Sequence, residues 1–322
     1  MTTVYFNEQH SDDERRAKLY NGDLYVYAPS PATQALCQLA RDLCENAFAP
    51  WHPVEAQHHL AVEEYNEILK EVKPRFVHHP RGKELIPQLL EEHGCDLTRT
   101  YFDVPRLRTA TAGDYLNSGL AYVFKPHRDT WYSSPMCQLN WWLPVYEIAS
   151  SNGMAFYPQY WNTPVLNSSA EFNYQDWNQT GRKQAYSQGK QNTCRQSEAL
   201  ETLSLDPDLR LVTESGGMIV FSAAHLHGTV THTTKQTRIS IDFRTVHLSE
   251  LETDSGAPNL DSRCAGTTIH DYLNASTLSH IPEELRARFE ESTRPRPEVS
   301  VARIDQTSQI MNRICRTEAA PI

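Results

Sequence analysis

The sequence predicts a mainly β protein with flanking α-helices, and three observations support this fold class. Short apolar segments that alternate like strands recur between residues 98 and 249, separated by turns rich in Pro and Gly. Apolar residues at helical spacing dominate residues 30–93. The 39% hydrophobic and 22% charged content is typical of a globular protein. Although 322 residues can also hold two small domains, we predict a single domain.

The domain prediction divides the chain into three parts. Residues 1–97 form a helical N-terminal support, residues 98–249 form the β core with an insertion at 162–199, and residues 250–322 form a C-terminal helical extension.

The N-terminal part contains a strand at 23–27 and three predicted helices that would support one sheet. Ser30 is a suitable N-cap and Pro31 suits the first helical position, and the apolar stripe that follows ends before Pro50. Residues 58–72 form a second amphipathic stripe. The third helix covers 82–93, and Gly94 is its C-terminal cap.

The β core begins near Tyr101. Arg106 and Arg108 share one face of a regular strand, where they form either a solvated edge or a clamp for an anionic substrate. Gln138 and Asn140 also share a face, in an apolar strand, so they need buried partners. They either bind a co-substrate or substrate, or hydrogen-bond internally to the backbone.

A candidate metal site begins at the end of the apolar run 122–124. His127 and Asp129 are two residues apart, so an extended backbone directs both side chains to one face. A solvated His and a turn-capping Asp are the alternative interpretation. With a distant His, the pair would form the 2-His-1-carboxylate facial triad that binds Fe(II) and leaves coordination positions open.

The distant His lies in residues 216–229, where a Gly-Gly turn leads into an apolar strand that ends on His225-Leu226-His227-Gly228. A polar loop and a second strand that carries Arg238 follow. These segments predict a hairpin of a half-buried β-barrel. Either His could be the ligand by spacing alone.

Together these motifs resemble the Fe(II)/2-oxoglutarate-dependent dioxygenases: H-x-D at 127–129, a distal His before Gly228, and Arg238 eleven residues after His227. The Leu-His-Gly form and the strand before it are most similar to the phytanoyl-CoA dioxygenase-like branch. The resemblance covers residues 101–246.

The resemblance implies a double-stranded β-helix (jelly roll, cupin-like) for the core. It implies Fe(II) bound by His127, Asp129 and His227, with His227 preferred over His225 because Gly228 follows it. Arg238 would bind the distal carboxylate of 2-oxoglutarate, a co-substrate used together with O2, and succinate and CO2 would be released. Related halogenases lack the carboxylate ligand, so Asp129 favours hydroxylation, desaturation or cyclisation.

Three further interpretations concern substrate binding, and a fourth concerns the direction of the Arg128 side chain. Arg244 is a second choice for the anchor or a substrate contact, and Trp131 is another candidate substrate contact. The polar, aromatic insertion 162–199 is either a lid, with Arg182 and Lys183 facing an acidic substrate, or a surface excursion. Alternation along an extended backbone places the Arg128 side chain on the face opposite those of His127 and Asp129.

Composition limits the partners and the compartment. The formal net charge of −10 argues against a nucleic-acid partner. No run of about 18 apolar residues and no signal-peptide pattern is present, which predicts no membrane span. Seven scattered cysteines without a C-x-x-C motif favour free thiols in the cytoplasm. Apolar spacing at 304–314 fits a helix that covers the core or a partner subunit, so we expect a monomer or a homodimer.

The leading hypothesis is therefore a cytoplasmic oxygenase acting on a small polar metabolite in biosynthesis, and the charges permit an anionic or amino-acid-like substrate. A non-catalytic jelly-roll binding protein is one alternative. A Zn-dependent hydrolase using the same His, Asp and His set is another, but Arg238 has no required role there.

Overall fold

The computed structural model describes residues 1–116, 119–121, 125–181, 196–230 and 234–292. Its principal helices are α1 (Asp12–Leu19), α2 (Pro31–Phe48), α3 (Val62–Val77), α4 (Pro80–Glu92), α5 (Leu248–Thr253) and α6 (Glu283–Ser292). Its strands are β1 (Val4–Phe6), β2 (Leu24–Tyr27), β3 (Thr100–Phe102), β4 (Arg106–Ala110), β5 (Leu139–Pro144), β6 (Met154–Phe156), β7 (Leu209–Leu211), β8 (Met218–Ser222), β9 (His227–Thr229), β10 (Arg238–His247) and β11 (Leu273–Asn274).

Within these described ranges the strands form two sheets. The larger sheet has eight strands in the order β1-β2-β8-β5-β10-β3-β11, and β4 also pairs with β10. The smaller sheet has the order β7-β6-β9. Helices α2, α3 and α4 pack on one face of the larger sheet, and the smaller sheet packs on its other face. The sheet-rich fold with flanking helices therefore agrees with the predicted class.

Alternation along the strands separates these two faces. In β5, Trp141 and Leu143 join the apolar core under the helices, whereas Trp142 joins the cluster between the two sheets. In β10, Ile239 and Ile241 face the helices. Period-2 geometry places the polar residues of β10 on the opposite face, between the sheets. The space between the sheets therefore holds both an apolar cluster and a charged one.

The helix predictions are largely confirmed. The Ser30 hydroxyl accepts a hydrogen bond from the Thr33 backbone N–H at the start of α2. Gly94 has a φ of +68° two residues after the end of α4, a conformation that favours glycine. The second predicted helix begins later, at Val62, because a separate 3₁₀ turn occupies Ala56–His58. We did not predict α1, although Ser11 and Glu14 form a capping box at its start.

Two β predictions are wrong. The strand predicted to follow the Gly-Gly turn and to end on residues 225–228 is broken by a turn at 223–226, so β8 lies in the larger sheet and β9 in the smaller one. The predicted hairpin with the Arg238 strand does not form, because β5 lies between β8 and β10. The turn lets the chain cross from one sheet to the other, and hydrophobicity alone does not distinguish a crossing from a continuous strand.

Several predictions fall outside the described residues. They concern the apolar run 122–124, Arg182 and Lys183 of the insertion, and the segment 304–314. The described cysteines are free thiols: Cys37, Cys44, Cys95, Cys137 and Cys264. No helix in the described ranges is both long and apolar enough to cross a membrane.

Candidate metal centre

Three side chains from two distant parts of the chain meet between the sheets. His127, Asp129 and His227 each offer one ligand atom, and these atoms lie within 4.8 Å of one another. Asp129 Oδ1 lies 3.2 Å from His127 Nε2 and 3.8 Å from His227 Nε2. The structure thus brings together the three residues that the motif predicted as ligands.

Backbone hydrogen bonds hold this cluster in place. The His127 N–H donates to the His227 carbonyl at 2.9 Å, and the His227 N–H donates to the His127 carbonyl at 3.0 Å. Arg128 is extended, with φ −109° and ψ 139°, so His127 and Asp129 point to the same side. Asp129 then begins a 3₁₀ turn, Asp129–Tyr132. The shared face therefore depends on the local conformation of Arg128, and Asp129 itself lies outside any strand.

Both imidazoles are oriented by their second nitrogen. His127 Nδ1 lies 2.8 Å from the Lys125 carbonyl oxygen, and His227 Nδ1 lies 2.8 Å from that of His225. Since a carbonyl oxygen only accepts, each Nδ1 donates to its carbonyl, which leaves each Nε2 facing Asp129. Burial, together with the nearby His127, lowers the pKa of His227 to about 3, so its ring is neutral at pH 7. Two oriented imidazoles and a carboxylate fit a divalent cation.

The second oxygen of Asp129 is occupied by donors. Asp129 Oδ2 accepts from Asn140 Nδ2 at 2.9 Å and from Gln138 Nε2 at 3.4 Å, and Arg244 Nε lies 3.7 Å away. Burial alone would raise the pKa of Asp129, but the hydrogen bond with His127 and the charge of Arg244 hold it well below its usual range. Asp129 is therefore an ionised carboxylate with one oxygen left for a metal.

Gln138 and Asn140 have a role that the sequence interpretation did not include. Their side chains contact Asp129 and each other, rather than the backbone, and binding of a co-substrate by either residue stays a prediction. Tyr272 extends this network, since its hydroxyl donates to Gln138 Oε1 at 2.7 Å. Tyr272 was missed because it lies 134 residues from Gln138, in a segment without a recognisable motif.

Arg238 is buried at the start of β10, with 6% of its surface exposed. Its guanidinium donates to two carbonyls, of Asn152 at 3.2 Å and Gly153 at 2.9 Å, and to the Thr229 hydroxyl at 3.3 Å. These partners are all neutral, and Nε has no hydrogen-bond partner among the described residues. Burial lowers the pKa of Arg238 to about 10, so it remains a cation at neutral pH.

Ser240 lies two residues further along β10, on the same face as Arg238. Its side chain is fully buried, and its hydroxyl has no hydrogen-bond partner among the described residues. The unpaired hydroxyl of Ser240 and the unpaired Nε of Arg238 form a buried donor pair suited to a carboxylate. The sequence analysis did not identify Ser240. Its position two residues after Arg238, on the same face of a strand, could have indicated it.

Arg244, Arg106 and Arg108 are all ion-paired. Asp103 pairs with Arg106 and, at 3.1 Å, with Arg244. Asp242 pairs with Arg108 at 2.8 Å and lies 3.8 Å from Arg244. These five side chains form a row of alternating charge in the order Arg106, Asp103, Arg244, Asp242 and Arg108, so an arginine stands at each end. Arg244 thus neutralises carboxylates beside the metal ligands, and contacts of these arginines with substrate stay a prediction.

Trp131 and Arg128 point away from the cluster. Trp131 is fully buried among apolar side chains, and its indole N–H donates to Asp261 at 2.7 Å. Arg128 pairs with the same carboxylate at 3.1 Å, as expected for the face opposite the ligands. The suggestion that Trp131 contacts substrate is therefore not supported by its position. Both side chains fix the segment that carries His127 and Asp129.

His225 lies outside the cluster, which distinguishes it from His227. It belongs to the turn at 223–226, and its ring packs 5.5 Å from Phe156 and 5.3 Å from Trp161, between ring centroids. Burial lowers the pKa of His225 to about 4, so its ring is neutral at pH 7. Its backbone carbonyl, rather than its ring, orients His227.

No protein-family model and no curated protein matches the chain. Among solved structures, it is similar to the epimerase SnoN in complex with Fe³⁺, α-ketoglutarate and nogalamycin RO, at 14% identity, with 73% of this chain and 83% of that chain covered and a TM-score of 0.39. It is also similar to AviO1 from Streptomyces viridochromogenes Tue57, at 12% identity, 76% and 97% coverage and a TM-score of 0.37. A third is apo ThoJ, a non-heme monooxygenase, at 13% identity, 68% and 71% coverage and a TM-score of 0.37.

Likeness at these values assigns neither a family nor an activity to the chain. The geometry of the site itself supports the proposals that follow.

Proposed function

We propose that the protein is an Fe(II)- and 2-oxoglutarate-dependent oxygenase. The observation that carries this proposal is the combination of a His-Asp-His cluster with a buried Arg238, whose hydrogen-bond partners among the described residues are all neutral, in the same space between the sheets. Thr229, whose hydroxyl accepts from Arg238, is only two residues after the ligand His227. A short ligand with a chelating end and a distal carboxylate would satisfy both features.

The proposed binding mode uses this chain's own side chains at each end of the co-substrate. His127, Asp129 and His227 would hold the iron, which suits their borderline nitrogen and hard oxygen donors. Arg238, with its free Nε, and Ser240 would bind the distal carboxylate. Binding a carboxylate would neutralise the buried guanidinium and give both unpaired donors an acceptor. Bound iron would supply O2 activation coupled to decarboxylation of 2-oxoglutarate, with release of succinate and CO2.

The finer assignments remain proposals. The two facing sheets with ligands between them are compatible with a double-stranded β-helix, and the phytanoyl-CoA dioxygenase-like branch rests on the Leu226-His227-Gly228 motif. We propose hydroxylation, desaturation or cyclisation of a small metabolite. An anionic substrate is favoured because the ion-pair chain beside Asp129 ends on Arg106 and Arg108, which are partly exposed.

The two alternatives predict different uses of Arg238. A Zn-dependent hydrolase needs the three ligands but no buried cation, and a cation without a counter-ion costs stability. A non-catalytic binding protein needs neither ionised Asp129 nor two oriented imidazoles. The proposed oxygenase requires all of them, so it accounts for more of the buried polar groups.

Matched ligands would separate the two ends of the site. We expect calorimetric titration of the Mn(II)-loaded protein to show tight binding of 2-oxoglutarate. Glutarate lacks the keto group that chelates the metal, and 2-oxobutyrate lacks the distal carboxylate. Each is expected to bind at least roughly 30-fold more weakly, the cost of about 2 kcal/mol for one unpaired buried partner. Equal affinities for 2-oxoglutarate and 2-oxobutyrate would remove the assigned role of Arg238.

A further inference from the structure

A chain of three side chains leads from the C-terminal part of the fold to Asp129. The Tyr272 hydroxyl donates to Gln138 Oε1 at 2.7 Å. Gln138 Nε2 donates to Asn140 Oδ1 at 2.9 Å, and Asn140 Nδ2 donates to Asp129 Oδ2 at 2.9 Å. Tyr272 and Gln138 are fully buried, and Asn140 is 5% exposed.

The direction of every bond in this chain is fixed by its two ends. An ionised carboxylate only accepts, so Asn140 must present its amide nitrogen to Asp129. The oxygen of Asn140 then faces Gln138, which must present its own nitrogen, and the oxygen of Gln138 is left to accept from Tyr272. Burial raises the pKa of Tyr272 well above its ordinary value, so its hydroxyl keeps the proton that it donates.

Without the Tyr272 hydroxyl, Gln138 Oε1 would be a buried acceptor that has lost its donor, and the Gln138 amide would be held only through its nitrogen. A turned amide would direct its oxygen at Asn140 Oδ1 and at Asp129 Oδ2, and acceptors facing one another in a buried site are unfavourable. The easiest relief is rotation of the Asp129 carboxylate, which would bring Oδ2 toward the two imidazoles. Asp129 could then offer both oxygens to a metal and occupy a further coordination position.

We propose that Tyr272, acting through Gln138 and Asn140, is a positioning residue that keeps Asp129 a ligand through one oxygen only. This inference rests on the proposed metal site and is independent of the assignment of 2-oxoglutarate. It connects the segment around β11 to Asp129 through two intervening amides. Its function would be to preserve open coordination positions.

The test compares Tyr272→Phe with a neighbouring tyrosine. Tyr174→Phe is the matched control, because the Tyr174 hydroxyl donates to Asp271, the neighbour of Tyr272 in sequence. Co(II) is the probe, since it reports both affinity and coordination through its visible absorption. We expect Tyr272→Phe to weaken Co(II) binding roughly tenfold, as found for residues that orient metal ligands, and to change the Co(II) spectrum. Tyr174→Phe should leave both unchanged.

A double-mutant cycle separates this role from general packing. In a Gln138→Met background, Tyr272→Phe should have no further effect on Co(II) affinity, because the connection is already broken. If the two effects add, or if Tyr174→Phe matches Tyr272→Phe, the proposal is wrong. Should Tyr272→Phe fail to fold, Gln138→Met alone must reproduce the weaker affinity and altered spectrum; wild-type values in that variant would equally refute the proposal.

If Co(II) behaves as predicted while 2-oxoglutarate fails to bind, the positioning role stands and the proposed oxygenase function falls. If wild type does not bind Co(II) at all, both fall together.

Discussion

Replacing His227 by alanine is expected to reduce the affinity for Fe(II) or Mn(II) by more than roughly 100-fold, the upper range found for groups that merely orient a ligand. The loss follows from geometry, because His227 supplies one of the three ligand atoms that converge within 4.8 Å in the described part of the chain. Metal-induced stabilisation should be largely lost with it, since a ligand that binds only the folded state stabilises it by an amount that falls with the logarithm of its affinity. Thermal unfolding with and without Mn(II) measures both effects.

The control for this variant is His78→Ala, which removes an exposed histidine remote from the cluster. It should retain the full Mn(II)-dependent rise in melting temperature. His227→Ala with an undiminished rise would show that the metal binds elsewhere, and the assignment of His127, Asp129 and His227 would then be wrong.

Replacing Arg238 by methionine is expected to separate stability from binding. The affinity for 2-oxoglutarate should fall at least roughly 30-fold, because truncating one partner of a buried charged pair costs about 2–5 kcal/mol. The unliganded protein should keep most of its stability, because removing a buried cation whose hydrogen-bond partners are neutral offsets the loss of hydrogen bonds that contribute about 1 kcal/mol each. Urea unfolding and calorimetry on the same preparation measure the two quantities.

Arg210→Met is the matched control, since Arg210 is exposed and pairs with Asp208 at the surface. It should change neither quantity appreciably. Arg238→Lys keeps the charge but loses the planar fork, so it should bind with an intermediate affinity. An Arg238→Met protein that is strongly destabilised yet binds 2-oxoglutarate normally would identify Arg238 as a structural residue.

The part of the site that the sequence predicted is the part that short-range geometry determines. His127 and Asp129 needed only one extended residue between them, and Arg128 provides it. The N-terminal helices were equally predictable, because Ser30 and Pro31 are residue types that favour the start of a helix and Gly94 is one that favours its end. Predictions succeeded where a local rule and the tertiary structure agree.

The rest depended on contacts that no local pattern records. The turn at 223–226 carries the chain between sheets, so a strand that looked continuous is two strands in different layers. Tyr272 meets Gln138 across 134 residues, and Asp103 meets Arg244 across 141. The sequence does not show that Arg106 and Arg108 are ion-paired. Their carboxylate partners, Asp103 and Asp242, come close only through the loop before β4 and the pairing of β4 with β10.

The most direct test of the proposed function is an anaerobic titration of the wild-type protein with Fe(II) and 2-oxoglutarate, followed by visible absorption. The proposed site predicts the weak charge-transfer band of an Fe(II)–keto-acid chelate, absent in His127→Ala and weakened in Arg238→Met. If no band forms with saturating Fe(II) and 2-oxoglutarate, the protein does not bind this cofactor pair as proposed, and the oxygenase assignment is wrong.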